Sequence, residues 1–157
     1  VYFTNYTKQD GFPADLILNV YADQRDNLWF STNGGGAVFF NGSSFTNYTR
    51  KEGLPSDSVS AVIQDKKGII WIATSRGAVS YNGTSITIYN NTFFSDASTT
   101  SLFEDKKGVI WFVTENIIIK LNNNLVYRYT ERDGLSQKSI WEGFTTDSSG
   151  NLWVGWN

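Results

Sequence analysis

The most chemically suggestive pair of neighbours in this sequence is Trp141 followed by Glu142. An aromatic ring beside a carboxylate can stack on a sugar ring and accept a hydrogen bond from one of its hydroxyls. A carboxylate is costly to bury unless it faces water or a partner. Two interpretations therefore stay open: a sugar-binding pair, or a Trp141 that packs between structural units while Glu142 points into a water-filled channel.

Most catalytic chemistry lacks the residues that it needs in this chain. The 157 residues include no His and no Cys, which excludes His-dependent general bases and triads, zinc sites of the Cys/His kind, thiol catalysis and disulfides. No phosphate-binding Gly-Lys loop or Ser nucleophile motif occurs. The net charge of −2 gives no bulk attraction to nucleic acid, and no apolar run approaches the roughly 20 residues of a membrane helix. We expect no catalysis, cofactor or metal, no nucleic-acid partner and no membrane insertion by this segment.

Tryptophan and aspartate recur through the chain at a fixed spacing. Four Trp residues lie 42, 40 and 42 residues apart, and an Asp precedes each of them by six positions. The pairs are Asp23 and Trp29, Asp65 and Trp71, Asp105 and Trp111, and Asp147 and Trp153. We expect each Trp to fill the space between neighbouring repeats. We expect each Asp to cap a turn, since no cluster has the spacing of a calcium loop.

Short β-strands must position these residues. Residues 59–64 and 70–74 are mainly β-branched, apolar or aromatic, and such short runs favour strands over helices. The sequence Asp65-Lys66-Lys67-Gly68 suits a tight hairpin turn, and Asn82-Gly83 is a preferred two-residue hairpin turn. Four short antiparallel strands in about 41 residues are typical of a blade of a β-propeller. We predict strands at about 17–23, 28–32, 37–41 and 43–49, with the pattern recurring at 59–89 and 99–130.

The repeats also resemble those of a known family, the two-component regulator propeller repeat. The resemblance rests on Gly53-Leu54, Asp65-Lys66-Lys67-Gly68, Trp71-Ile72-Ala73-Thr74, Arg76-Gly77 and Tyr81-Asn82-Gly83, and it extends over essentially the whole chain. Three departures are local. Asp26 replaces the turn Gly of the first blade, Phe94 replaces the initial Gly of the third, and Ile117 replaces the Gly after its Trp strand, which predicts a reshaped loop there.

The repeats divide the all-β chain into three full blades and a split fourth. We predict an outer strand over residues 1–7, blades over 11–49, 53–89 and 94–130, and a partial blade over 134–157. Two arrangements stay open: part of a larger propeller, which the resemblance favours, or a ring closed by the outer strand. The first arrangement would expose blade edges that favour pairing with the remaining blades or homo-oligomers.

A ligand site is expected on one face of the propeller. Loops between blades and loops between the second and third strands share this upper face, where propellers generally bind ligands. We predict a site from Asn33, Arg76 and Glu115, which lie nearest the channel, together with Trp141 and Glu142. The other charged residues expected on this face are Lys8, Asp10, Asp15, Arg50, Glu52, Asp57, Asp96, Arg132, Asp133 and Lys138.

The resemblance implies a function without catalysis. Such repeats are usually found in periplasmic or extracellular sensor domains of hybrid two-component histidine kinases, many of which recognise breakdown products of glycans. The expected role is therefore a sensor propeller for an oligosaccharide. A structural or assembly-forming extracellular protein is the alternative. A glycosidase with two carboxylates about 5 to 9.5 Å apart is a distant third, because no such pair stands out.

Overall fold

Three four-stranded antiparallel sheets and one two-stranded sheet form the computed structural model, which describes residues 3–13, 16–89, 94, 98–123, 125–136 and 144–155. The strands are β1 (Ile17–Ala22), β2 (Leu28–Thr32), β3 (Ala37–Phe40), β4 (Phe45–Tyr48), β5 (Val59–Gln64), β6 (Ile70–Thr74), β7 (Gly77–Tyr81), β8 (Ile86–Tyr89), β9 (Thr99–Glu104), β10 (Ile110–Thr114), β11 (Ile118–Asn122), β12 (Leu125–Tyr129), β13 (Phe144–Thr146) and β14 (Leu152–Val154). Each sheet follows the order of the chain. The predicted all-β blades are confirmed: β1–β4, β5–β8 and β9–β12 are full blades, and β13 and β14 begin a fourth.

Apolar contacts between successive blades form the core. One cluster joins the first two blades around Trp29, a second joins the next two around Trp71, and a third joins the third blade to β13 and β14 around Trp111. These three Trp side chains are buried, as predicted, whereas Trp153 is 63 % exposed. No described blade lies against the face of Trp153, so its expected filling role stays a prediction.

The leading face of the first blade is also open. Ile17, Leu18 and Val20 of β1 are 46, 51 and 50 % exposed, whereas in β5, the corresponding strand of the second blade, Val59 and Val62 are buried. The same kind of apolar strand is therefore covered in the second blade and uncovered in the first.

Each repeated Asp caps the turn between the first two strands of its blade. Asp65 Oδ1 accepts hydrogen bonds from the backbone N–H groups two and four residues later, both at 2.9 Å. Its Oδ2 accepts a hydrogen bond from Trp71 Nε1 at 2.8 Å. The same three bonds form around Asp105 and Asp147. The predicted capping role is confirmed, and the spacing of six is explained: it brings the indole N–H to the carboxylate.

The first blade uses a variant of this turn. Asp26 adopts the left-handed conformation, with φ of 60°, at the position where Gly68 has φ of 84° in the second blade. Asn27 Nδ2 donates hydrogen bonds to both oxygens of Asp23, at 3.2 and 3.0 Å. Trp29 Nε1 is buried and has no hydrogen-bond partner among the described residues. The Asp147 turn also has a side-chain amide on its carboxylate, from Asn151 at 2.9 Å, and there the indole N–H binds the same oxygen.

These caps predict a loss of stability in acid. Burial raises the pKa of Asp105, but hydrogen bonds from Trp111, Val109 and Lys107 lower it more, so the pKa is below its ordinary value. Bonds from the Asn151 side chain and backbone and from Trp153 lower the pKa of Asp147 to about 2. Because folding favours the ionised carboxylates, their contribution is complete above about pH 4, the ordinary pKa of Asp. It is lost as the pH falls toward 2.

We therefore expect the melting temperature to fall between about pH 4 and pH 2, as measured by circular dichroism at fixed ionic strength. The variant Asp147→Asn removes one of the titrating groups and should show a smaller fall over the same interval. An equal fall in both proteins would mean that Asp147 does not contribute to it.

Three single-turn 3₁₀-helices connect strands to the blades that follow: Lys8–Asp10, Arg50–Glu52 and Glu131–Asp133. In each, the carboxylate of the third residue accepts hydrogen bonds from the backbone N and Oγ1 of the preceding Thr, at 2.6 to 3.1 Å. A left-handed Gly ends each helix. The left-handed C-cap explains why a Gly follows five residues after Tyr6, Tyr48 and Tyr129.

Phe94 has a different role from the predicted one. Its side chain is 1 % exposed and meets the Phe112 ring edge-on, with centroids 5.3 Å apart. Phe12 meets Phe30 in the same way at 5.2 Å in the first blade. Phe94 therefore occupies the position of the buried Leu54, one residue after the initial Gly, and does not replace that Gly.

The loop at Ile117 is reshaped, as the sequence predicted. Gly77 has φ of 108°, whereas Ile117 is outside the left-handed region. Thr114 Oγ1 still donates to the Ile117 carbonyl at 3.0 Å, as Thr74 Oγ1 does to the Gly77 carbonyl at 2.8 Å. The bond that closes the loop is thus kept although the backbone differs.

The predicted outer strand over residues 1–7 is not found in the described segment. Residues 3–7 are not hydrogen-bonded into a sheet. Instead, the Tyr6 ring packs against Phe40 and Phe45, with centroids 5.2 and 5.4 Å apart. Side-chain packing rather than strand pairing holds this segment against the first blade.

Long polar side chains connect the turns of successive blades on the lower face, which carries the turns between first and second strands. Gln24 Nε2 donates to the Asp65 carbonyl at 2.9 Å, and Gln24 N donates to Gln64 Oε1 at 2.8 Å. We call this arrangement an inter-blade latch. It ties the first turn of one blade to that of the next.

The second latch repeats the first. Lys66 Nζ donates to the Asp105 carbonyl at 2.9 Å, and Lys66 N donates to Glu104 Oε2 at 3.0 Å. In the third blade the latch residue lies one position later in the turn: Lys107 Nζ donates to the Ser149 carbonyl of the fourth blade at 3.2 Å.

No helix of the described residues has the length and apolar character of a membrane span.

Candidate ligand site on the upper face

The loops between second and third strands place the predicted site residues on the upper face. The loop of the first blade carries Asn33, that of the second carries Arg76 and that of the third carries Glu115, and all three side chains are exposed. In the second loop, Arg76 N donates to Thr74 Oγ1 at 3.1 Å. The loop backbone is thus fixed at the residue from which the guanidinium projects.

A cleft of about 240 Å³ opens on this face where the first blade meets the second. Its polar lining consists of two guanidinium groups, one carboxylate and three hydroxyls. The lining residues are Arg50, Pro55, Ser56, Asp57, Ser58, Ser75 and Arg76.

Hydrogen bonds hold the walls of the cleft. Asp57 Oδ1 accepts a hydrogen bond from Arg50 N at 2.7 Å. The Asp57 carbonyl accepts from Gly36 N at 2.8 Å, and the Ser56 and Ser75 hydroxyls are 2.7 Å apart. A side chain at residue 36 would collide with the Tyr48 carbonyl oxygen, so only Gly allows this close approach. The cleft is therefore largely pre-formed.

The cationic groups remain available to a ligand. Arg50 and Arg76 are exposed, and neither guanidinium donates a hydrogen bond to another residue in the described part of the chain. A guanidinium binds carboxylates, sulfates and vicinal hydroxyls with paired N–H groups. Together with Asp57 and the serine hydroxyls, these groups suit a small polar ligand that carries hydroxyl or acidic groups.

The predicted site residues are only partly brought together. Asn33 lies at the rim of the cleft, where its Oδ1 accepts a hydrogen bond from Ser58 Oγ at 3.0 Å, and Arg76 lines the cleft itself. Glu115 is on the loop of the third blade and does not line this cleft. Trp141 and Glu142 lie outside the described residues, so their predicted role stays a prediction.

Three other upper-face carboxylates are already used by the fold. The side chains of Asp10, Glu52 and Asp133 cap the 3₁₀-helices described above. Hydrogen bonds from the Thr7 side chain and backbone lower the pKa of Asp10, and those from Thr49 lower that of Glu52. These residues therefore position the inter-blade loops. No group of His, Cys, Asp and Glu that could hold a metal ion occurs among the described residues.

Sequence reasoning missed the serines of the cleft. Ser56 and Ser58 flank Asp57, and Ser75 precedes Arg76. Serine is common in loops, so nothing in one repeat distinguishes these residues. The available signal was positional, because each lies directly beside a charged residue already placed on the upper face.

Solved structures with the same fold come from several bacteria. The extracellular domain of a hybrid two component system from B. thetaiotaomicron aligns with a TM-score of 0.83 at 21 % identity, over 98 % of this chain and 22 % of that one. A virginiamycin B lyase from Staphylococcus aureus aligns with a TM-score of 0.74 at 19 % identity, over 98 % of this chain and 52 % of that one. PorZ, a surface component of the type-IX secretion system of Porphyromonas gingivalis, aligns with a TM-score of 0.67 at 15 % identity, over 91 % and 24 %.

These similarities establish the propeller fold. The chain spans between about a fifth and a half of the length of the structures it matches. The lyase shows that the fold also supports catalysis, and the aligned form of that enzyme, with one histidine replaced by alanine, is catalytically inactive. The present chain contains no His. Comparison with curated proteins gives no match.

The family comparison agrees with the repeat pattern. Residues 53–76 and 93–116 match the family model described as two component regulator propeller. Each match runs from the start of a blade, through the Asp turn and the Trp strand, to the loop on the upper face. These two segments of the chain are therefore similar to the two component regulator propeller repeat.

Proposed function

We propose that this chain is part of a larger sensor propeller of a two-component regulatory system, located in the periplasm or outside the cell, and that its upper face binds a glycan-derived ligand. The observation that carries the proposal is the pre-formed cleft between the first two blades, with two exposed guanidinium groups beside Asp57 and three serine hydroxyls. Similarity to the extracellular domain of a hybrid two component system supports the sensor role.

The lining of the cleft narrows the class of ligand. No aromatic ring is among the residues that line it, so recognition there depends on hydrogen bonds and charge. Uronic acids and sulfated sugars combine hydroxyls with an anionic group, and both features match paired arginines beside hydroxyl groups. We therefore propose an acidic oligosaccharide as the ligand.

The test is the variant Arg76→Ala in the whole protein, measured by calorimetry against acidic and neutral oligosaccharides. Loss of a charged hydrogen bond should weaken binding of the acidic ligand by about 1.5 to 3 kcal/mol. Because Arg76 is exposed and makes no side-chain hydrogen bond to a described residue, its removal should leave the melting temperature nearly unchanged. Equal binding of the acidic ligand by both proteins would place the site elsewhere.

Assembly is the second candidate function. A further blade or a second copy of the protein would cover the apolar face of β1, where Ile17, Leu18 and Val20 are about half exposed. PorZ, a surface component of a secretion system, has a similar fold. Ordered self-association of the whole protein, without binding of any oligosaccharide, would support this function over the sensor.

A further inference from the structure

The boundary between the second and third blades contains an open groove of about 240 Å³. It lies well away from the upper-face cleft, since it includes residues of the lower-face turns such as Asp65, Asn82 and Gly108. The repeats allow a direct comparison, because each boundary is built from the same positions of two successive blades. The groove arises where three positions depart from the repeat.

The first departure is beside the repeated Trp. In the first blade the residue paired with Trp29 is Phe39, and their rings lie 4.9 Å apart. In the second blade the residue paired with Trp71 is Ser80. A small hydroxyl side chain thus replaces an aromatic ring, and the space beside Trp71 stays open.

The second departure is on the facing blade. At the first boundary Tyr48 packs against Tyr81, with ring centroids 5.5 Å apart. Burial, with added effects from Tyr81, raises the pKa of Tyr48 to about 12. At the second boundary the position of Tyr81 is held by Leu121, which lines the groove with Tyr89. A second ring is therefore missing from the space.

The third departure adds a polar group to the space. The turns between third and fourth strands carry Gly42 and Gly83 in the first two blades, with φ of 89° and 93°. In the third blade this left-handed position is Asn123, with φ of 46°, and Asn123 lines the groove. A non-Gly residue in the left-handed conformation lowers the stability of the fold, and Asn lowers it less than most other residues do.

The resulting surface combines aromatic rings with hydrogen-bonding groups, most of which are uncharged. The rings of Trp71 and Tyr89 lie 5.6 Å apart on one wall, and the hydroxyls of Ser80 and Thr87 line the groove. The Asp65 carboxylate, also in the lining, already accepts two backbone N–H groups and the indole N–H of Trp71. The Lys67 ammonium is the other charged group of the lining, so a ligand is offered one cationic donor together with the hydroxyls and side-chain amides.

We propose that this groove is a second ligand site, which binds one neutral sugar residue. The apolar C–H face of the sugar packs mainly on the half-buried ring of Tyr89, beside the small part of Trp71 that is exposed, and its hydroxyls bond to Ser80, Thr87 and Asn123. This site is independent of the acidic ligand proposed for the upper face. Its chemistry differs because its lining offers aromatic rings, hydroxyls, amides and one ammonium group, whereas the cleft has two guanidinium groups and no ring.

The experiment uses variants that install the residue of a neighbouring repeat. Ser80→Phe places the ring of Phe39 in the groove, and Asn123→Gly restores the Gly of the other two turns, so both changes suit the fold. The probes are glucose, galactose, mannose and N-acetylglucosamine. Binding is followed by NMR of the ¹⁵N-labelled whole protein, through the indole N–H signal of Trp71, which Trp71→Phe assigns.

At least one of these sugars should shift the Trp71 signal saturably. Ser80→Phe should raise the dissociation constant about tenfold or more, and Asn123→Gly should raise it about two- to tenfold, as expected for one lost hydrogen bond. Arg76→Ala, the matched control, should leave this titration unchanged. Failure of all four sugars to shift the signal, or equal titration of wild type and both groove variants, would overturn the proposal. If Ser80→Phe does not fold, Asn123→Gly decides the question alone.

Discussion

Replacing Trp71 with alanine is expected to lower the free energy of unfolding by about 3 to 5 kcal/mol, the usual cost of truncating a buried Trp. The side chain is 7 % exposed and lies in the cluster that joins the second and third blades. Its removal opens a cavity between blades and also takes the indole N–H from Asp65. Urea denaturation of the 157-residue chain, followed by circular dichroism, measures the loss.

Trp153→Ala is the matched control within the same chain. This Trp occupies the same position of the repeat and donates the same hydrogen bond, to Asp147 at 3.1 Å, but it is 63 % exposed. Trp153 therefore lacks most of the stabilisation that Trp71 gains from burial, and the loss of unfolding free energy should be well below that of Trp71→Ala. Equal losses for the two variants would show that packing between blades is not the origin of the effect.

Replacing Asp105 with alanine is expected to lower the free energy of unfolding by more than about 1.5 kcal/mol. One hydrogen bond to a charged group contributes about 1.5 to 3 kcal/mol. The carboxylate accepts bonds from Lys107 N, Val109 N and Trp111 Nε1, at 2.8, 3.0 and 3.0 Å. Without it, the Val109 amide and the indole N–H are left buried and unpaired. Such groups cost more than the net contribution of the bonds they lose.

The comparison for this prediction is Asp147→Ala, measured by the same denaturation experiment. Asp147 makes the corresponding three bonds, but Trp153 is largely exposed, so water can satisfy the donors that the variant releases. A smaller loss is expected there. If Asp147→Ala proved more harmful than Asp105→Ala, burial would not govern the contribution of these turns.

The fold was largely predictable because a few residue types recur along the chain at the period of the blades. The spacing from Asp65 to Trp71 and the turn at Asn82-Gly83 placed strands to within two residues of their observed bounds. The errors arose where a position tolerates several residues. Phe94 was assigned to the wrong position of its repeat because the preceding Gly is not there to fix the alignment.

The candidate sites were less predictable because they depend on two repeats at once. Arg76 and Arg50 could both be placed on the upper face from loop position, but nothing in the sequence showed that they line one cleft. The groove at Ser80 and Leu121 depends on residues about 40 positions apart in sequence. Their departures from the repeat were visible, but only the packing of one blade on the next shows that they face a common space.

The inter-blade latches have a consequence for how the sequence can change. Gln24, Lys66 and Lys107 donate to backbone carbonyls of the next turn. A carbonyl is present whatever amino acid occupies that position, so a substitution in the receiving turn does not remove the acceptor. Selection therefore needs to preserve only the donor side chain, and the sequence of the receiving turn can change without loss of the bond. A chain of repeats joined in this way can diversify its exposed turns one blade at a time while adjacent blades stay attached.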